Sequence, residues 1–213
     1  MFTRTSIVSA VFFLIAVAAA LWLYSQMPAR VPVQWDRLSH VSRTVPRFWG
    51  AASPALMVLV LGVFTHLPPL ILPRLFNSAL FAQVYDIVML TSQGVMLVAG
   101  LSVLLVDAGY PLSLPTITML AVGVSLVVLG NYLGRLRMNF FIGFRTPWTL
   151  AGDAVWERTH RLGGWLFMLA GLTMVIGALI GAPAWLVPAG IVAAALIPCV
   201  YSFWIYRRLG KVA

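Results

Sequence analysis

Charged residues in this chain stand far apart, and the uncharged stretches between them are the first structural signal. Arg4 to Arg30 encloses 25 uncharged residues, Arg47 to Arg74 encloses 26, Asp86 to Asp107 encloses 20, Asp107 to Arg135 encloses 27, and Arg161 to Arg207 encloses 45. A helix needs about 20 mostly apolar residues, at ~1.5 Å rise each, to cross the hydrocarbon core of a bilayer. Each of the first four gaps therefore predicts one span: Ser6–Gln26, Gly50–Leu72, a third beginning near Gln83, and Leu114–Leu133. The fifth gap is long enough for two, parted at Gly181-Ala182-Pro183, where Gly and Pro break a helix. The pattern predicts an all-α polytopic transmembrane helical bundle of six spans.

Composition agrees. Hydrophobic residues make up 62% and charged residues 9% of the 213, whereas soluble domains are roughly a quarter charged. The N-terminal run Ala18-Ala19-Ala20 has the look of a signal-peptide end. The apolar stretch continues through Leu21-Trp22-Leu23-Tyr24, longer than such a segment needs, so it is read as a retained anchor. An even number of spans puts both termini on one side. On that side the N-terminus, second loop, fourth loop and C-terminus hold 1, 1, 5 and 3 basic residues; the three remaining loops hold 4, 0 and 0. The positive-inside rule places the richer side, and with it both termini and the fourth loop, on the cytoplasmic face of the cell membrane, with the first loop (27–49) outside. The net charge of +9 does not point to nucleic acid, because the arginines cluster at span ends, where they meet headgroups. Membrane lipids are the expected partners. Cys199 is the single cysteine, and His40, His66 and His160 lack ligand spacing, so neither metal nor cofactor is expected.

Polar residues at membrane depth are costly. Gln83, Asp86 and Gln93 are offset by 3 and 7, which sets them on one face of the third helix. They form either a polar track inside the bundle, or an interfacial acid paired with Arg74 and a glutamine bonded to a neighbouring helix. His66 precedes Pro68-Pro69, a pair expected to kink the second span or end it early. His66 then either caps freed carbonyls or titrates near neutral pH.

The longest polar bridge runs from Asn131 to Gly164 and holds Arg135, Arg137, Arg145, Arg158 and Arg161. Arg135 and Arg137 close the fourth span, where cations suit a helix C-terminus. Arg145-Thr146-Pro147-Trp148-Thr149 reads as a turn. Asp153 opens a new helix as N-cap or first-turn acid. That helix sets Trp156, His160, Gly163 and Phe167 on one stripe and runs on into the fifth span. Trp148 and Trp156 suit the headgroup layer. The segment is either an anchored loop that orients the spans or a docking surface for a partner or lipid. Asp153 and Glu157 are one turn apart, yet Glu157 with Arg161 reads more simply as a surface ion pair. No HExxH, GxSxG, GxGxxG, Walker or CxxC pattern occurs, so catalysis is not expected.

The same segment resembles the signature of the SdpI family of bacterial integral membrane proteins. That signature is approximately G-N-x-[LM], then N-x-x-I-G-[IF]-R-T-P-W-T-L, then V-W-x-x-T-H-R-x-x-G. It is matched by Gly130, Asn131, Asn139, Ile142, Gly143, Arg145, Thr146, Pro147, Trp148, Thr149, Leu150, Val155, Trp156, Thr159, His160, Arg161 and Gly164. Met27-Pro28-Ala29-Arg30-Val31-Pro32-Val33-Gln34-Trp35-Asp36 is similar to the entry of a DUF1648 module, with Gln34 in place of the usual His. Ile71-Leu72-Pro73-Arg74 resembles its P-x-x-D-P-[RK] junction with the acid lost. The resemblance implies residues 1–82 as a DUF1648-like part with two spans, and 83–213 as an SdpI-like part with four spans and a signature loop at 135–162.

What it implies about activity is protection rather than catalysis. The family is named for an immunity protein that shields a producing cell from a secreted membrane-active peptide. A peptide toxin outside, and a cytoplasmic regulatory protein inside, are the implied partners. A small-molecule or lipid transporter, and more distantly a membrane enzyme, are the alternatives from other classes. The implied binding residues are the signature positions from Asn131 to Arg161.

Overall fold

The computed structural model describes residues 4–35, 41–71 and 78–209. Its helices are α1 (Arg4–Leu23), α2 (Arg47–Ile71), α3 (Ala79–Asp107), α4 (Leu114–Leu133), α5 (Asp153–Leu179) and α6 (Leu186–Leu209). All six are long and apolar enough to cross a membrane. The fourth span has the bounds read from the sequence; α1, α2 and α3 begin two to four residues ahead of the expected positions, and α1 ends three residues before Gln26. The break between α5 and α6 falls at the expected triplet, where Gly181 takes φ 71° and the Ala182 amide donates to the Gly177 carbonyl at 2.7 Å. Pro68 and Pro69 do not end α2 ahead of themselves; the described helix carries both and reaches Ile71. The junction residues Leu72–Arg74, the proposed pairing of Asp86 with Arg74, and His40 lie outside the described residues.

The first loop holds an element the hydrophobic pattern did not announce. Strands β1 (Arg30–Trp35) and β2 (Val41–Pro46) pair antiparallel, with Val31 opposite Val45 and irregular register between Pro32 and Trp35. Pro32 has no amide to donate, which suits an edge strand with a bulge. β-Branched residues at 31, 33, 41, 44 and 45 favour the extended backbone.

The chain forms two compact units, and α3 contributes to each. One contains residues 1–71 and 92–118; the other contains 72–91 and 119–213. In the first, Val31 and Met27 pack with Leu23 of α1, Ala51 of α2 and Leu104 of α3. Deeper in the same unit Ala16, Ala55, Val58 and Leu97 form a second cluster. Between the three helices lies a polar chain. Ser9 donates to Gln93 Oε1 at 2.7 Å, Gln93 Nε2 donates to Thr65 Oγ1 at 2.7 Å, and Thr65 donates to the Leu61 carbonyl at 2.7 Å. Gln93 is 0% exposed, so its amide is satisfied by helices α1 and α2 rather than by water.

Interhelical bonds of this kind contribute about 0.6–2 kcal/mol in a membrane. Gln93→Leu should therefore lower the unfolding temperature in detergent by roughly 2–6 °C for a chain of this length. Gln83→Leu, at an exposed position, should move it by about a degree at most. Equal shifts for the two variants would show that the buried amide holds nothing together.

In the second unit α4 and α5 touch backbone to backbone. A Cβ at Gly130 would stand 2.6 Å from the Gly164 carbonyl oxygen, and one at Gly171 would stand 2.5 Å from that of Gly123. Gly123 and Gly130 are seven apart on α4, as are Gly164 and Gly171 on α5. Small residues at helical repeat spacing let two membrane helices approach this closely.

Candidate functional site

The polar bridge between α4 and α5 is a folded structure in the second unit. α4 closes with tight turns in which the Arg135 and Leu136 amides donate to the Tyr132 and Leu133 carbonyls. Asn139 then reverses the chain: its Oδ1 accepts from the Phe141 and Ile142 amides at 2.8 Å each, and its Nδ2 donates to the Arg137 carbonyl at 2.9 Å. A side chain that bonds its own backbone two residues on is the Asx-turn mechanism. Gly143 follows with φ 116°.

His160 of α5 locks this turn down. The Phe144 amide donates to His160 Nε2 at 2.9 Å, while Nδ1 lies 2.9 Å from the Trp156 carbonyl. An N–H pointing at Nε2 requires a lone pair there, so the proton sits on Nδ1 and donates to that carbonyl. The imidazole is thus neutral and of fixed tautomer. It stacks on the Trp156 indole with ring centroids 3.9 Å apart. Trp156 Nε1 donates to the Leu136 carbonyl at 2.7 Å, satisfying a buried acceptor in the turn that follows α4. Phe144 turns its ring against Gly163, where a Cβ would stand 2.3 Å from the ring, and edge-on to Phe167. The expected stripe of Trp156, His160, Gly163 and Phe167 is thus the face that holds the loop.

The Thr146–Thr149 turn is closed from both ends. Thr149 Oγ1 accepts from the Thr146 amide at 2.9 Å and donates to the Phe144 carbonyl at 2.7 Å, and the Thr149 amide donates to Thr146 Oγ1 at 3.2 Å. Pro147 sits exposed at its corner. Trp148 Nε1 donates to Ser202 Oγ of α6, whose own hydroxyl donates to the Cys199 carbonyl at 2.6 Å. Trp148 also packs against Phe203, with ring centroids 5.1 Å apart. Ser202 and Phe144 did not stand out in the sequence. Ser202 is one small hydroxyl in an apolar span, and only the fold shows that it faces an indole.

These contacts correct part of the sequence reading. Trp156 presents no face to a headgroup layer: it is 0% exposed, as are Thr149, Thr159 and His160. Such side chains shape the loop and present nothing to an outside partner. The exposed signature positions are Asn131, Gly143, Arg145, Pro147 and Arg161. Arg145 donates to the Phe140 carbonyl and stays apart from the other guanidinium groups. Arg158 and Arg161 instead join Arg135 and Arg137 around a cleft of about 710 Å³, which Asp153 and Glu157 also line. Of the intramembrane polar set, Gln83 is exposed and Asp86 half-buried in the second unit, while Gln93 belongs to the first.

Comparison with known proteins follows the same division. Residues 135–202 match the SdpI/YfhL protein family, and residues 11–59 match a domain of unknown function, DUF1648. Over 176 residues, 81% of each chain, the sequence is 26% identical to the immunity protein SdpI of Bacillus subtilis (strain 168). No solved structure matches the chain.

Proposed function

From its similarity to the SdpI/YfhL family over residues 135–202 and from its six helices long and apolar enough to cross a membrane, we propose that this protein protects the cell that carries it against a membrane-active peptide toxin. The observation that carries the proposal is the colinear similarity to an immunity protein over four fifths of both chains. The SdpI/YfhL match, residues 135–202, includes the loop held by Asn139, Thr149 and His160. The role is protective rather than catalytic.

The charge distribution supports an orientation with both termini and the 135–162 loop in the cytoplasm, and with the β1–β2 hairpin outside. An incoming amphipathic peptide meets the hairpin or the lipid-facing sides of the helices first. α3 is continuous through both compact units, which gives a toxin-induced change in one unit a covalent route to the other. The exposed Arg145 then reports that change to an acidic cytoplasmic protein.

Expression in a sensitive host tests this directly. Cells carrying the wild-type protein should survive a membrane-active peptide that kills cells carrying the empty vector. Arg145→Ala with Trp148→Ala should reduce the surviving fraction about tenfold or more, the scale of losing an arginine and an aromatic anchor, at equal abundance in the membrane fraction. Equal survival of wild type and double variant would remove the loop from the mechanism. Equal death of wild type and empty vector across a panel of such peptides would remove the protective role.

A further inference from the structure

The second unit contains two clefts that share a wall. The first, of about 710 Å³, opens between the end of α4 and the start of α5 and is ringed by Arg135, Arg137, Arg158 and Arg161. Asp153 and Glu157 also line it, so four guanidinium groups face two carboxylates and the cleft stays positive by two. The second, of about 400 Å³, lies beside it and is walled largely by Leu80, Phe81, Phe140 and Phe141. Leu136, Arg137 and Met138 line both. Both volumes fall within the range of small-molecule sites, roughly 300–1,000 Å³.

Each cleft has a property that the rest of the fold leaves unexplained. The arginines of the first are all exposed. Arg135 stacks on Tyr132 at 5.4 Å from the ring centroid, which orients it without neutralising it. The second exposes Phe140 by 73% and Met138 by 43%, in a loop whose neighbours are otherwise tied down by Asn139. A cationic cleft beside an exposed aromatic one matches a ligand that is anionic at one end and apolar at the other. A soluble anion would leave the phenyl rings in water, and a plain hydrocarbon would leave the guanidinium groups unpaired. Both clefts adjoin the ends of membrane helices, where phosphate and acyl chain occur together.

We infer that the α4–α5 junction binds one anionic phospholipid, its phosphate among Arg135, Arg137, Arg158 and Arg161 and the start of an acyl chain against Phe140, Phe141 and Phe81. The site depends on neither the toxin nor the side of the membrane on which the loop lies. It would fix the junction at the bilayer surface, with the lipid acting as a structural ligand.

The full-length protein in neutral detergent, titrated with single lipids and followed by thermal shift and by native mass spectrometry, tests this. Phosphatidylglycerol should bind at least about tenfold more tightly than phosphatidylcholine, whose phosphate is neutralised by its own choline. Inorganic phosphate at millimolar concentration should neither stabilise the protein nor displace the lipid. Arg158→Gln with Arg161→Gln should weaken phosphatidylglycerol by about tenfold or more and leave phosphatidylcholine unchanged. Phe140→Ser should weaken both lipids alike. Equal binding of the two lipids by the wild type would overturn the inference, and this comparison needs no variant to fold. Protection by inorganic phosphate equal to that by phosphatidylglycerol would assign the basic cleft to a free anion and overturn it too. Unchanged selectivity in the arginine double variant, or in Arg137→Gln if that double variant does not fold, would place the lipid elsewhere.

Discussion

Gly143→Ala should unfold the signature loop while leaving the membrane helices in place. Two independent costs meet at this position. Its φ of 116° lies where side chains are rarely tolerated, at an expense on the order of 1–3 kcal/mol. The added Cβ would also stand 2.2 Å from His160 Nε2, so the imidazole must leave its place between the Phe144 amide and the Trp156 carbonyl. An amide deprived of its acceptor in a half-buried setting costs about 1–3 kcal/mol more. The sum, roughly 2–6 kcal/mol, reaches the severe end of single substitutions. Hydrogen exchange should show the Phe144 and Thr149 amides losing protection, with α4 and α6 unchanged. Gly152→Ala is the matched control. Gly152 has φ −175°, an extended backbone open to any residue, and a Cβ there meets nothing within 4 Å. Equal protection patterns in the two variants would refute the latch.

The second large effect belongs to the α4–α5 seam. At Gly130 a Cβ would stand 2.6 Å from the Gly164 carbonyl oxygen and 2.8 Å from the Met168 nitrogen. Both are backbone atoms, so no side chain can swing away and the helices must separate. Overpacking a core usually costs about 1–3 kcal/mol, and more where nothing yields. Gly130→Ile should fall at or above the upper end and lower the unfolding temperature by roughly 6–12 °C. Gly94→Ala, where the new methyl would meet the Phe12 ring at an ordinary 3.8 Å, should be neutral or slightly stabilising because alanine is the better helix former. If Gly130→Ile melts with the wild type, the close approach of the two helices is not what holds this unit together.

The spans were legible because their signal is one-dimensional. Charges are too costly at membrane depth to be scattered, so the gaps between Arg4, Arg30, Arg47, Asp86, Asp107 and Arg135 locate the first four helices to within a turn or two. The turn at Pro147 and the helix starting at Asp153 were legible for similar local reasons. The β1–β2 hairpin was not, since Val31-Pro32-Val33 offers too short an alternation and a proline argues against a strand. Trp156 misled because an indole's amphipathic character suits a headgroup layer and a buried pocket equally. The choice was made by the Leu136 carbonyl in the turn after α4, 20 residues away. Gly130 and Gly164 were both visible as signature letters, but nothing in a linear pattern says that they face each other.

The bond from Trp148 to Ser202 spans 54 residues and sets an order of assembly. A chain still emerging from the ribosome has the loop and α5 long before α6 exists. Until that helix is made and inserted, the indole has no hydroxyl to bind. The loop therefore reaches its final shape only after α6 has joined the fold. A polypeptide cut short ahead of α6 would insert the preceding helices yet carry an unfinished junction, which makes α6 the checkpoint for a segment that is made well before it.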